Sequence, residues 1–278
     1  MAYLPQAKPF DWKNLAIRAA SAVVMVPGVL AVVWFADYVS WLFLVLIAVA
    51  VALLAIEWGG MTAPRSPVRV SAAVTTAVLA ATFLGHQDRF ELAWMAMVIG
   101  AVAAALVARG VSERLTDAAF GVVYIAIPVI CLMWLRHMPE GRQWTLMLFA
   151  VAWAADIAAF LVGSVLKGPK LWPRFSPNKT WSGFVGGLVA AMLAGAAFGQ
   201  FSDIRLTTPA AALIGFLGGL ATMGGDLWES MLKRRFGVKD SGDLIPGHGG
   251  LLDRVDGLMF AVVVLAAARL ATAWGWSL

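Results

Sequence analysis

The stretch Lys239 to Gly257, "KDSGDLIPGHGGLLDRVDG", holds two cations, four carboxylates and a histidine. It runs straight into the apolar "LMFAVVVLAAARLATAW". Gly242, Gly247, Gly249 and Gly250 permit tight turns and close approach of a ligand to the backbone, while Pro246 restricts the loop. Asp253 and Asp256 stand one helical turn apart on either side of Arg254. Upstream, in "MGGDLWESMLKRR", Asp226, Glu229, Ser230 and Lys233 fall at i, i+3, i+4 and i+7 and share one helix face. A snorkelling lysine accounts for Lys233 alone but not for the whole stripe. Asp226 and Asp253, on different helices, are expected to converge as oxygen ligands for Mg²⁺. Lys233, Arg234, Lys239 and Arg254 would then neutralise phosphates around it. The set suits a magnesium-bound polyphosphate; one suitable histidine and no nearby cysteine fit zinc poorly.

A third group lies earlier. Asp156, in "FAVAWAADIAAFLVGSVLKG", precedes Lys167 by eleven residues, or ~16 Å of helix. That depth is close to mid-membrane, where a carboxylate costs at least ~2.5–3.5 kcal/mol and faces protein or a water-filled cavity. Asp156, Gly163 and Lys167 share a helix face, with Gly163 leaving room beside it. The following "LKGPKLWPRFSPNKTWSG" supplies Lys167, Lys170, Arg174 and Lys179, and prolines 169, 173 and 177 oppose a continuous helix. Ser176, Asn178 and Thr180 are donors or caps before the next helix, whose N-terminus with a nearby lysine can hold phosphate. The glycine spacing of a nucleotide P-loop is missing.

The elements that position these groups are membrane helices. The 278 residues are 61% hydrophobic and 13% charged, against ~45–50% and ~25% in soluble domains. Apolar runs of spanning length fall near 16–36, 39–57, 70–86, 91–108, 116–135, 143–166, 181–200, 208–232 and 251–276. The expected fold is an all-α polytopic integral membrane protein of about nine spans. Residues 1–142 would form a scaffold and 143–278 the catalytic helices with their loops. Lys and Arg concentrate in the N-terminus and around residues 65–69, 109–114, 167–179 and 233–239, and only Arg89, Arg136, Arg142 and Arg205 fall on the other side. The positive-inside rule puts the first set in the cytoplasm, and the expected location is the bacterial inner membrane with the site facing inward. Topology thus explains the net charge of +5 without nucleic acid. Cys131, the single cysteine, forms no internal disulfide. Glu57 is read as ending the second span with an interfacial role. His86, Asp88, Arg89, Glu91, Arg136 and His137 are read as solvated charges of outer loops. Small residues, as in "GAVAAALVA", favour close helix packing and permit a homodimer without requiring one.

These residues resemble the phosphatidate cytidylyltransferase (CDP-diacylglycerol synthase) family. The likeness rests on Ser230-x-Leu232-Lys233-Arg234, four residues, Lys239-Asp240, then Pro246-x-His248-Gly249-Gly250-x-x-Asp253-Arg254-x-Asp256. It extends upstream through Asp156, Gly163, Gly168, Lys170, Ser176-Pro177-Asn178-Lys179-Thr180 and Gly183. Ala159-Phe160 depart from the family, in which a tyrosine is common there. The resemblance implies the reaction CTP + phosphatidate → CDP-diacylglycerol + pyrophosphate, with Mg²⁺ and a second cation, such as K⁺, in one acidic site. It also implies Asp226 and Asp253 as metal ligands and Asp256 as an outer or alternate ligand. Ser230 and Lys233 would line that site, and Lys239, His248 and Arg254 would bind phosphates. Lys179 and Ser176 are candidates for the phosphates of either substrate, and Asp156 for the cavity wall. His248 is open to three roles: general base, phosphate donor or turn organiser. A CTP-dependent polyprenol kinase of related architecture and an ion-coupled transporter using Asp156, Asp226 and Asp253 are the alternatives.

Overall fold

The computed structural model describes residues 12–110, 114–244 and 249–274, with side chains from residue 23 onward. Nine helices follow one another among these residues: α1 (Trp12–Phe35), α2 (Ser40–Thr62), α3 (Pro67–His86), α4 (Phe90–Val107), α5 (Leu115–His137), α6 (Gly141–Leu166), α7 (Trp181–Phe201), α8 (Thr208–Arg235) and α9 (Leu252–Ala273). Helices α2 to α9 are each long and apolar enough to cross a bilayer, and the described apolar part of α1 is Val23–Phe35. The expected all-α membrane architecture is therefore present, with helix edges moved by a few residues. One element was not expected. Between α6 and α7, strands β1 (Lys170–Trp172) and β2 (Ser176–Thr180) form an antiparallel hairpin, pairing Lys170 with Thr180 and Trp172 with Ser176.

Apolar side chains gain little by leaving lipid for protein, so helices in a bilayer associate through close packing and hydrogen bonds. The α8–α9 crossing illustrates this. A Cβ on Gly225 would lie 2.5 Å from the Asp256 carbonyl oxygen, and one on Gly257 would lie 2.7 Å from a Thr222 methyl. The two backbones touch at that level, which brings the neighbouring Asp226 and Asp256 together. Gly163 serves a similar crossing. Its missing side chain makes room for Thr180 and Gly183 at the start of α7.

Several ties cross residue 142. Asp117 of α5, whose carbonyl accepts the Trp58 indole N–H at 3.0 Å, pairs through its carboxylate with Arg235 of α8 at 2.7 Å. One apolar cluster joins Val51, Trp58 and Ile125 to Leu232, Leu252 and Met259. At the opposite end of the bundle Asp88, Arg89 and Glu91 are exposed as expected, but Arg136 and His137 are not simply solvated. Arg136 and Arg142 both pair with Asp37, and His137 Nδ1 lies 2.8 Å from the Met133 carbonyl oxygen. A charge that near the apolar slab is retained where a partner offsets its desolvation.

Candidate active site

The end of α2, the hairpin, the end of α8 and the start of α9 meet at one end of the bundle. Helix α8 contributes Asp226, Glu229 and Lys233 on one face, as the i, i+3, i+7 spacing requires. Lys233 places its ammonium 2.7 Å from Glu229 and also pairs with Asp253 of α9. Its side chain is only 14% exposed, so it is a clamp between two helices rather than a snorkelling cation. Lys179, on β2, reaches across to pair with Asp226. Ser176, at the other end of β2, is half-buried.

Asp253 is heavily engaged. Besides Lys233 on Oδ1, its Oδ2 accepts the Ser241 backbone N–H at 3.1 Å and lies 2.9 Å from the Ser241 hydroxyl. That hydroxyl is also 3.2 Å from Glu57 Oε2. Glu57 overturns the interfacial reading: it lies inside α2, is 3% exposed, and accepts the N–H groups of Leu251 and Leu252 at 2.6 and 2.7 Å. The first N–H groups of a helix have no partner within it and attract an anion. For α9 that anion comes from α2. The fit is close, since a Cβ on Gly250 would fall 1.9 Å from the Ser241 hydroxyl oxygen and 2.9 Å from Glu57 Oε2.

Asp256 is buried and accepts its neighbour's Gly257 N–H at 2.8 Å. Its carboxyl is within hydrogen-bonding reach of Asp226 and in the electrostatic field of Glu229. Glu229 is 1% exposed, and its Oε1 has no hydrogen-bond partner among the described residues. Asp156 faces the same group, close enough to feel the charges of Asp226 and Lys179. Around this centre Lys170, Arg174, Arg234, Lys239 and Arg254 are exposed. Ser230 is half-buried on α8. His248 and Pro246 lie outside the described residues.

Sequence reasoning thus singled out Asp156, Lys179, Asp226, Lys233, Asp253 and Asp256, and the structure gathers them. It undervalued Glu229 and Glu57 and missed Ser241. The first two carried a signal, being carboxylates inside apolar helices; Ser241 carried none.

A family model described as the Cytidylyltransferase family matches residues 16–271. The chain belongs to the cytidylyltransferase family. It is accordingly a nucleotidyltransferase. Among its relatives is a phosphatidate cytidylyltransferase of Brucella suis biovar 1 (strain 1330), 37% identical over 256 residues, covering 91% of this chain and 92% of that one. One of the same name from Brucella abortus biovar 1 (strain 9-941) is 36% identical over the same extent. Another from Staphylococcus saprophyticus is 41% identical over 150 residues, or 54% of this chain and 58% of its own. The cytidylyltransferase match covers both halves of the chain, so the α2 residues that brace α9 lie within it.

The carboxylates gathered here bear on whether a cation fits. Asp156, Asp226, Glu229, Asp253 and Asp256 outnumber Lys179 and Lys233 by three. Two carboxyl groups as close as Asp226 and Asp256 repel unless a cation or a proton lies between them. Hard oxygen donors in such excess fit Mg²⁺. Among the described residues, however, no three His, Cys, Asp or Glu side chains stand ready around a common point.

Proposed function

We propose that this enzyme transfers the cytidylyl group of CTP to phosphatidate at the cytoplasmic face of a bacterial inner membrane. The observation that carries the reading is the carboxylate cluster where α8 and α9 meet, with Glu229 and Asp256 buried in it, interleaved with two lysines and rimmed by exposed cations. Such a centre repels bare phosphates and accepts them only with a metal, while the rim draws anions in. The relatives' shared name supports phosphatidate as the acceptor.

A phosphate oxygen of the lipid attacks the α-phosphorus of CTP, and the bond from that phosphorus to the bridging oxygen of pyrophosphate breaks. CDP-diacylglycerol and pyrophosphate result, with no group passing through the protein. The attacking phosphate is already anionic at neutral pH and needs no strong base, so His248 is not required to take a proton. What the chain supplies is position and charge. Lys179 enters from the hairpin and Lys233 from α8, on two sides of the carboxylate group, and each can exchange a carboxylate partner for a phosphate oxygen. Asp226, Asp253 and Asp256 are the residues that would hold Mg²⁺, which when bound offsets phosphate charge and withdraws electron density from phosphorus. The remaining excess of carboxylates suits a second cation such as K⁺.

Purified protein in detergent, given CTP, phosphatidate and Mg²⁺, should release CDP-diacylglycerol and pyrophosphate in equal amounts. CDP with a phosphorylated lipid alcohol would mark a kinase instead. Solute flux in proteoliposomes without nucleotide turnover would mark a transporter.

A further inference from the structure

Beside the carboxylate group, in the part of the bundle that lies in the bilayer, α5, α8 and α9 enclose an apolar cleft of about 340 Å³. Its size falls within the range of ligand pockets, ~300–1,000 Å³. Helix α9 forms the floor through Met259 and Phe260, α5 one wall from Phe120 to Pro128, and Trp228 of α8 the other. The eight helical steps from Phe120 to Pro128 make the α5 wall ~12 Å long. The cytoplasmic ends of its two walls are pinned by the Asp117–Arg235 pair. Trp228 and Val263, each 36% exposed, leave its rim open to the lipid side.

Tyr124 of this lining carries a buried hydroxyl. Tyr124 is only 8% exposed, and its hydroxyl has no hydrogen-bond partner among the described residues. Its ring is held by Phe120 at 5.7 Å, Trp58 at 5.6 Å and Phe260 at 6.5 Å. A buried phenol usually finds a partner, because leaving its hydroxyl unpaired forfeits the hydrogen bonds it made in water. Tyr124 is also within the electrostatic field of Glu229 and Asp256, so the cleft adjoins the reacting centre at this residue. Pro128, four residues on, lines the same wall and lacks the N–H that a helix would direct at the Tyr124 carbonyl.

We infer that this cleft binds one acyl chain of the lipid substrate and that the Tyr124 hydroxyl donates to the ester carbonyl joining that chain to glycerol. The inference rests on the proposed lipid phosphate acceptor. The arrangement follows the layout of such a lipid: phosphate among the lysines and metal, ester one step deeper at Tyr124, hydrocarbon along the apolar wall. A chain lying in the bilayer enters sideways over Trp228 and Val263 without leaving an apolar medium.

Two measurements test this. Phosphatidate carrying a photoreactive diazirine on one acyl chain, irradiated with the wild-type protein in detergent, should label peptides spanning 120–128 and 259–264. Excess phosphatidate should compete for that labelling, and phosphatidylcholine should not. Labelling scattered over the lipid-facing helices, or competed equally by phosphatidylcholine, would overturn the site. Labelling confined to the cleft in a protein that makes no CDP-lipid would keep the lipid site and remove the reaction. The second measurement compares ester-linked with ether-linked phosphatidate. The wild type should favour the ester by about three- to tenfold in KM, the worth of one hydrogen bond. In Tyr124→Phe, which keeps the ring, that preference should vanish while KM for CTP is unchanged. An equal preference in both proteins would overturn the role of the hydroxyl.

Discussion

Glu57, in the second helix, accepts the backbone N–H of Leu251 at 2.6 Å from 194 residues away in the chain. Together with Leu252 and Ser241 it ties the first half of the protein to the turn that presents Asp253. A carboxylate offers two oxygens to this task, and both are used. Helix α9 therefore begins where α2 sets it, and the aspartates on its first turn inherit that position.

Replacing Glu57 by Gln should be costly for this reason. The amide retains one acceptor and turns a donor toward groups that are themselves donors. Loss of one hydrogen bond to a charged group is worth ~1.5–3 kcal/mol. The variant should unfold at a lower temperature in detergent, and its turnover should fall at least tenfold while KM for CTP changes little. Wild-type turnover in Glu57→Gln would show that α9 is positioned by other contacts.

Lys233 and Arg234 are adjacent cations with opposite expectations. Lys233 holds buried Glu229 and Asp253 together, and removing one partner of a buried pair costs ~3–5 kcal/mol. Lys233→Ala should thus lose both stability and turnover, the latter by more than a hundredfold. Arg234 is exposed on the rim, where a substitution alters stability by about 0.5 kcal/mol or less. Arg234→Ala should melt with the wild type and raise KM for CTP, with the effect shrinking as salt is added. Thermal unfolding and steady-state kinetics on the pair would check both expectations.

The contrast between those neighbours also shows what the linear sequence could express. Asp226, Glu229 and Lys233 repeat at helical spacing, so their common face was readable without a structure, as were the spans on which they ride. The stripe did not show that Lys233 points at another helix. The hairpin escaped because "PKLWPRFSPNKT" has three prolines and no clean apolar alternation, and its two short strands are fixed by pairing with each other. Glu57 was misjudged because its partners are backbone N–H groups of a distant turn, and backbone donors leave no mark in residue type. Gly225 and Gly257 read as small residues. That they set Asp226 against Asp256 depends on the helix crossing.

Metal dependence separates the aspartates. Asp226 and Asp256 lie side by side, whereas Asp253 is taken up by Lys233 and Ser241. Asp256→Asn removes one charge from the close pair and should raise the Mg²⁺ concentration for half-maximal activity by ~10–100-fold, the range for groups supporting a metal. Excess Mg²⁺ should recover part of the rate. Asp253→Asn also frees Lys233 and weakens the Ser241 contacts, so added Mg²⁺ should not rescue it. Chelation with EDTA should abolish wild-type turnover and leave the fold intact, since the helices are joined by an apolar cluster and by the Glu57 bonds to Leu251 and Leu252. An unchanged Mg²⁺ profile in Asp256→Asn would take that residue out of the metal site.

Orientation can be read from the two ends of the bundle. The hairpin end carries the exposed cations Lys170, Arg174, Arg234, Lys239 and Arg254. At the other end Arg136 and Arg142 share Asp37, and Arg205 meets Glu140 at 3.3 Å. Lys and Arg resist translocation, and acids count little in that balance; the richer end should therefore face the cytoplasm, where CTP is available. Cys131 is half-buried within α5, so a Cys131→Ala background leaves no native thiol. In that background Arg174→Cys, on the exposed hairpin, should react with a membrane-impermeant maleimide in inside-out vesicles and stay unlabelled in spheroplasts. Gln87→Cys, exposed just after α3, should show the reverse. Exchange of the two patterns would place the carboxylate centre outside the cell and deny it the nucleotide that the proposed reaction consumes.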